Sequence, residues 1–224
     1  VHLMHGEAEQ ARTLAERIVA EHPTSPTGYR LLAEVSASSG LPDERLAALQ
    51  RAVEVAPTDA LLQKQLAELL ERRGRDEAAL EHYRRAFELV DSHIERLHLV
   101  SLLVPLAQRT RNYPQLLEFL RETSRQRGSP PEEALLVVEA LRQAGELQLA
   151  FQETQSLLSQ AGEQREVLET AVLLAEALGN FETAVDLQRR VVRLDPHRPA
   201  LDKLAECSLA AGDEEAARNA WHRI

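Results

Sequence analysis

The chain has 224 residues, of which 44% are hydrophobic, 28% charged and only 4% aromatic, and its net charge is −10. This composition is typical of a folded chain rather than a disordered one, and the few aromatic residues disfavour a β-rich fold. The 36 acidic residues against 26 basic ones oppose a broad nucleic-acid-binding face. The single cysteine, Cys207, excludes an intrachain disulfide and a zinc-finger framework.

Glycines recur along the chain with a period of about 34 residues, which indicates a repeat architecture. One group that follows this period is Gly6, Gly40 and Gly74, and a second group is Gly145, Gly179 and Gly212. The gap between Gly74 and Gly145 is longer than two periods by three positions. The unit between the two groups therefore carries a three-residue insertion, with Arg111-Asn112 in place of its glycine.

Each unit has two apolar stripes with the spacing of an amphipathic helix, one before its glycine and one after it. Around Gly74 the first stripe is Leu62, Leu66, Leu69 and Leu70, and the second is Ala79, Leu80, Tyr83, Ala86 and Phe87. Glycine just past the first stripe ends a helix in the left-handed conformation without steric penalty. The pattern therefore predicts a helix-turn-helix in each unit, and neighbouring units must stack to bury both stripes.

Two further positions repeat with the glycines. Five residues after most of them lies an alanine, which lets the paired helices approach closely: Ala11, Ala79, Ala150, Ala184 and Ala217, with Arg45 and Leu116 as exceptions. Seventeen residues after three of them lies a proline that stops the second helix: Pro23, Pro57 and Pro196.

These residues resemble the tetratricopeptide repeat (TPR), whose unit is a helix-turn-helix of about 34 residues. The unit that starts at residue 60 matches the family pattern with Leu66, Ala67, Gly74, Ala79, Tyr83 and Ala86, and the unit that starts at residue 165 matches it with Gly179, Phe181, Ala184 and Pro196. The resemblance implies an all-α fold, a right-handed α-solenoid of antiparallel helix pairs. It also implies a non-catalytic scaffold that binds a protein or peptide in a concave groove.

The repeat phase predicts one array over residues 1–224. Its units are 1–25 (partial), 26–59, 60–93, 94–130 (irregular), 131–164, 165–197 and 198–224 (partial). Both ends of the chain fall within helices of this pattern, so we expect a fragment of a longer array without a targeting signal of its own. No apolar run approaches the length of a membrane span. The compartment, cytoplasm or bacterial envelope, and the oligomeric state stay open.

The irregular unit departs from the pattern in two ways. Pro105 lies inside a helical run and should kink that helix near Ser101. In the turn that follows, Asn112 is the residue best able to take the left-handed conformation. The insertion is either absorbed at the surface or it is a hinge that breaks the array near 92–114.

The sequence offers no catalytic constellation. A glycine-rich phosphate loop, a nucleophile motif and a paired-histidine metal motif are all missing. His2 and His5 are three residues apart, while His93 and His98 are five apart and poorly matched on a helix, and exposed helical histidines are the expected reading of both. Cys207 is expected to be a buried, inert thiol. We therefore expect no enzyme activity, no metal and no cofactor.

In the resembling family, certain positions of the first helix of each unit line a concave groove. The matching positions of this chain number thirty, and they hold ten acidic and five basic residues. From residue 131 onward seven are acidic and one is basic; before it three are acidic and four are basic. Like charges on a concave wall concentrate the potential, so a basic partner is expected for the second half. The candidate partner-binding residues are Arg30, Glu34, Lys64, Glu68, Arg72, Glu139, Arg142, Glu166, Glu169, Glu176, Asp202 and Glu206.

Three other functions share this architecture. The chain could be the recognition arm of a larger enzyme, an RNA reader, or an envelope assembly scaffold of a bacterium for polysaccharide export or pilus biogenesis. The acidic groove opposes RNA. The carboxylate clamp by which some TPR proteins hold chaperone tails is missing, since Arg30 and Glu34 are followed by Gln65 and then by His98 and Leu102.

Overall fold

The computed structural model describes residues 2–128 and 130–223, without the side chains of residues 2–8 and 161. These residues form thirteen helices and no strand, which confirms the all-α prediction. None of these helices combines the length and the apolar character needed to cross a membrane. The helices are α1 His2–Glu21, α2 Pro26–Ser38, α3 Pro42–Val55, α4 Ala60–Arg72, α5 Asp76–Leu89, α6 His93–Arg109, α7 Tyr113–Gln126, α8 Pro131–Gln143, α9 Leu147–Ala161, α10 Arg165–Ala177, α11 Phe181–Leu194, α12 Arg198–Ala210 and α13 Glu214–Trp221.

The chain divides into two compact parts, unit 1 (Val1–Tyr113) and unit 2 (Pro114–Ile224). In unit 1 each helix from α1 to α6 packs on the next, and in unit 2 the same holds from α8 to α13. We call α2, α4, α6, α8, α10 and α12 the first helices, and α3, α5, α7, α9, α11 and α13 the second helices. The expected boundaries of the repeat units and the expected break in the array stay predictions.

The turns from first to second helix share one hydrogen-bond pattern. After α4, Gly74 has a φ of +70°, and the next residue, Arg75, donates its N–H to the Leu70 carbonyl oxygen at 3.0 Å. After α6 the corresponding bond runs from the Asn112 N–H to the Ala107 carbonyl oxygen at 2.8 Å. This is the Schellman closure of a helix, which needs one left-handed residue.

The left-handed residue after α6 is Arg111, with a φ of +60°, and not Asn112 as the sequence suggested. The reason is the position in the turn. Asn112 supplies the N–H that closes onto α6, so the residue before it must take the positive φ. Arginine has no local advantage in that conformation, which costs a residue with a Cβ roughly 1–2 kcal/mol.

The first glycine of the register behaves differently from the others. Helix α1 is continuous through Gly6, so the expected turn there is wrong. One glycine inside a helix costs only about 1 kcal/mol relative to alanine, and the residues that follow it are good helix formers. In the same helix Ala11 is exposed and Ala15 is fully buried, so the buried position lies four residues beyond the predicted register.

The alanine register is confirmed in the other units. The four alanines expected at helix crossings are all 0% exposed: Ala79, Ala150, Ala184 and Ala217. Leu116, which replaces alanine in the irregular unit, is also 0% exposed. Helix α6 runs through Pro105, which lies on its exposed side. The kink expected near Ser101 stays a prediction.

Candidate ligand-binding face

All twelve candidate residues lie on first helices, and each is at least partly exposed. In unit 1 they are Arg30 and Glu34 on α2 and Lys64, Glu68 and Arg72 on α4; in unit 2 they are Glu139 and Arg142 on α8, Glu166, Glu169 and Glu176 on α10, and Asp202 and Glu206 on α12. We call these two sets the first-helix faces of unit 1 and unit 2.

On the unit 1 face, Lys64 Nζ lies 4.0 Å from Glu68 Oε1. A tighter ion pair joins α6 to α4 and α5. Arg109 reaches Asp76 Oδ2 at 2.9 Å and Glu71 Oε1 at 2.7 Å. The hydrogen bonds to Asp76 and then to Glu71 raise the pKa of Arg109. The carboxylate of Glu71 is therefore already neutralised within unit 1.

Tyr83 adds to this cluster from α5. It is buried, and its hydroxyl donates to Glu71 Oε2 at 3.2 Å. Burial, and then the negative charge of Glu71, raise the pKa of Tyr83 above its ordinary value.

The remaining unit 1 candidates are not brought into this cluster. Arg72 is exposed and lines a cleft of about 470 Å³ together with Arg45 and Arg73. Arg30 is half-buried and Glu34 exposed on α2, and among the described residues no ion pair joins either of them to α4.

On α8 of unit 2, Arg142 holds Glu139 through two hydrogen bonds of 2.7 Å, and Gln143 donates a third at 2.6 Å. Partial burial acts to raise the pKa of Glu139, but the bonds from Arg142 and Gln143 outweigh it, so that the pKa is lowered. Glu139 is thus an ionised carboxylate with a fixed orientation.

Helices α10 and α12 are joined by Glu176. Its Oε2 lies 2.9 Å from Lys203 Nζ, and its Oε1 accepts from the Cys207 thiol at 3.2 Å. Lys203 also approaches Glu206 at 3.7 Å. Burial and the nearby Glu176 carboxylate raise the pKa of Cys207 to about 12, so this buried thiol stays protonated and inert.

At the other end of the two helices, Arg165 joins α10 to the segment between α11 and α12. It binds Glu169 Oε1 at 2.7 Å and Asp195 Oδ2 at 2.6 Å, and lies 3.3 Å from His197. Asp202 lies 3.8 Å from Arg198 on α12.

The sequence prediction missed three of these bases, Arg165, Arg198 and Lys203, because they lie next to the assumed groove positions. The spacing of four residues from Arg165 to Glu169 and from Arg198 to Asp202 could have revealed two of them. With Arg142, there are four bases against seven carboxylates, namely the six of the unit 2 face and Glu132 on α8. The net charge of this group is therefore −3 rather than −6.

Two further carboxylates pair within their own helices. Glu68 pairs with Lys64 and not with Arg72, which lies four residues after it, and Asp186 pairs with Arg189 at 3.1 Å and not with Arg190. The Arg190 guanidinium turns to Glu163 at 2.8 Å, on the segment that precedes α10.

A cleft of about 260 Å³ lies between α10 and α12 on the unit 2 face. Its apolar lining includes Val172, Leu173 and Pro199, and Leu173 is 58% exposed. Glu169 and Lys203 line it as well. An exposed leucine in a cleft with charged walls is suited to contact an apolar side chain of a ligand whose charged groups reach the walls.

Within the part of the chain whose side chains are described, no group of three or more metal-ligating residues comes together. His2 and His5 lie outside that part.

No protein-family model and no curated protein matches the chain. Solved structures do. The C-terminal part of a TPR repeat-containing protein from Cytophaga hutchinsonii is similar over 99% of this chain and 90% of its own, with 15% identity and a TM-score of 0.53. A structure of Naa15/Naa10 bound to HypK-THB is similar over 98% of this chain and 35% of its own, with 16% identity and a TM-score of 0.51. The chain therefore has the tetratricopeptide-repeat fold, as the sequence resemblance implies.

Proposed function

We propose that the chain is a non-catalytic protein-interaction scaffold, and that the first-helix face of unit 2 binds a basic segment of a partner protein. The observation that carries this is the placement of seven carboxylates on α8, α10 and α12 with only four bases beside them. Such an excess of negative charge on one face attracts a basic ligand and speeds its association.

The carboxylates that contribute most are those without a short ion pair. Glu132 and Glu166 are exposed and have no ion pair with another described residue, and Glu206 has only a 3.7 Å contact with Lys203. By contrast, the carboxylates of Glu139, Glu169 and Glu176 are each held by a base at 2.9 Å or less. A ligand would gain little from these three, because their charge is already compensated.

The cleft between α10 and α12 supplies the apolar part of the site. Exposed ion pairs contribute only about 0.2–1 kcal/mol each, so charge alone gives weak binding. A small apolar side chain of the ligand that contacts Leu173 and Pro199 adds buried area at roughly 25 cal/mol per Å². The preferred ligand is thus an apolar residue flanked by lysines or arginines.

Calorimetric titration tests this proposal. The probe is a synthetic peptide with a central leucine and flanking lysines, and the matched control peptide has glutamine at each lysine. We expect micromolar binding of the basic peptide, weaker binding as salt rises and the Debye length shrinks, and no binding of the control. Equal binding of both peptides, or binding that salt does not change, would show that the face does not select basic ligands.

The variant that locates the site is Glu166→Lys with Glu206→Lys. Its matched control is Glu182→Lys with Glu215→Lys, which makes the same change of charge at exposed positions on the second helices α11 and α13. Binding should be lost in the first variant and kept in the second. The roles of an enzyme's recognition arm and of an envelope assembly scaffold are not favoured by a specific observation, and neither is proposed.

A further inference from the structure

A second cleft of unit 2 has the opposite chemistry. It lies where α11, α12 and α13 meet and has a volume of about 430 Å³. Its charged lining residues are all arginines, namely Arg189, Arg193 and Arg223. Unit 2 as a whole has 12 basic and 19 acidic residues, so a cleft whose charged lining residues are all arginines is unusual within it.

Two of these arginines have no carboxylate partner among the described residues. The Arg189 guanidinium lies 3.1 Å from Asp186, one turn earlier on α11. No carboxylate of the described residues lies within 4.0 Å of the guanidinium of Arg193 or Arg223, although the neighbouring Arg190 and Arg218 both have one. The cleft therefore has two guanidinium groups available for an anionic ligand.

The floor of the cleft holds a second, independent feature. Ser208 on α12 is 0% exposed, and its hydroxyl has no hydrogen-bond partner among the described residues. Two other helical hydroxyls in unit 2 are satisfied by their own helix: the buried Thr154 donates to the Phe151 carbonyl oxygen at 2.7 Å, and Ser159 donates to that of Ser156 at 2.7 Å. A buried hydroxyl without a partner is unfavourable, and an oxygen atom of a ligand at this floor would satisfy it.

The remaining walls favour a carboxylate on an aliphatic stem. Val192, Leu204 and Ala220 line the cleft, and the Asn219 side chain adds an amide. The methylene groups of a glutamate side chain can pack on the apolar walls while its two oxygens accept from the guanidinium forks. Inorganic phosphate has no apolar part to contact those walls.

We infer that the cleft formed by Arg193, Arg223 and Ser208 binds a glutamate side chain in an acidic segment of a partner protein. This site is distinct from the unit 2 first-helix face, and its ligand has the opposite charge. The two proposals are independent, because each rests on different residues and is tested with a different peptide.

Fluorescence titration tests the inference, since Trp221, the only tryptophan of the chain, lies two residues before Arg223 on the same segment. The probe is a short capped peptide of alternating glutamate and glycine. We expect saturable binding that weakens about tenfold or more in the variant Arg193→Ala with Arg223→Ala, the effect of losing charge-assisted hydrogen bonds. The matched control, Arg125→Ala with Arg218→Ala, removes two exposed arginines of α7 and α13 that do not line the cleft, and should bind within about twofold of the wild type.

The variant Ser208→Ala separates a ligand contact from a structural role. It removes a buried hydroxyl that has no partner, so the thermal midpoint should not fall, while the affinity should fall about tenfold. Three results would overturn the inference: no binding of the peptide, the same loss of affinity in the control variant, or wild-type affinity in Ser208→Ala. Displacement of the peptide by an equal concentration of inorganic phosphate would also overturn it, because the site would then be a general anion site.

Discussion

The first-helix faces of the two units are built alike but carry different charge. In unit 1, Arg109 on α6 reaches back to Glu71 on α4; in unit 2, Lys203 on α12 reaches back to Glu176 on α10. After this pairing the unit 1 face still has one exposed base and one exposed acid, Arg72 and Glu34, whereas the unit 2 face has the exposed acids Glu166 and Glu206 without a short ion pair. The position within the repeat therefore determines which residues lie on a first-helix face. The bases at positions next to these residues determine the net charge of the face.

The two units also differ in their turns. Each turn from first to second helix in unit 2 has glycine as its left-handed residue: Gly145, Gly179 and Gly212. Unit 1 has glycine after α2 and α4 but Arg111 after α6. The closing hydrogen bond is the same in both, so the difference lies in backbone strain and not in the geometry of the turn.

The largest expected effect on stability comes from overpacking a helix crossing of unit 2. Ala184→Leu puts three extra carbons at a site that is 0% exposed, and should lower the free energy of unfolding by roughly 1–3 kcal/mol. Urea unfolding followed by Trp221 fluorescence measures this in unit 2 itself. Ala210→Leu, at an exposed position of α12 in the same unit, is the matched control and should leave the unfolding midpoint unchanged. An unchanged midpoint in Ala184→Leu would show that this crossing can expand freely.

Alkaline pH should act on unit 2 through Cys207. Its pKa is about 12 in the folded chain against a reference value of 9.0, so the unfolded state loses the thiol proton first. The protonated thiol contributes its full stabilisation below pH 9. Above pH 9 the free energy of unfolding falls by about 1.4 kcal/mol for each pH unit, until the folded chain also loses the thiol proton at a pH of about 12. Unfolding at pH 8 and pH 10 measures the slope, and Cys207→Ala should flatten it. A slope that persists in Cys207→Ala would assign the effect to another group.

The smallest expected effect is at the turn after α6. Arg111→Gly relieves a positive φ and should raise the free energy of unfolding by roughly 0.5–1 kcal/mol, while Gly179→Arg introduces the same strain into unit 2 and should lower it by about 1 kcal/mol. Thermal unfolding of both variants provides the measurement. Destabilisation by Arg111→Gly would mean that the Arg111 side chain contributes more than its backbone costs.

The sequence predicted the fold well because helix-turn-helix units repeat their signals. Gly74 marks the end of a first helix, and Ala79 and Tyr83 belong to the apolar stripe of the second helix. Similar residues recur at these positions from unit to unit. The prediction failed at Gly6, where one glycine was outweighed by the helix formers around it. It also failed at Arg111, where the closing N–H of Asn112, a property of the folded turn, decides which residue takes the positive φ.

The candidate site was less predictable than the fold. Positions on first helices followed from the register, but the ion pair of Glu176 with Lys203 joins two helices that a whole second helix separates in sequence. No sequence pattern could predict that the Ser208 hydroxyl lacks a hydrogen-bond partner among the described residues, because this depends on how the helices pack around it. Charge counts taken from fixed positions therefore overestimated the acidity of the unit 2 face.

The central prediction is that unit 2, and not unit 1, binds the basic peptide through its first-helix face. One set of calorimetric titrations tests it, using the same lysine-flanked peptide with the wild type, with Glu166→Lys plus Glu206→Lys in unit 2, and with Glu34→Lys plus Glu68→Lys in unit 1. Both variants change the net charge by the same amount. The unit 2 variant should lose binding, while the unit 1 variant should stay within about twofold of the wild type. Equal loss in both variants would contradict it, because the peptide would then respond to net charge alone.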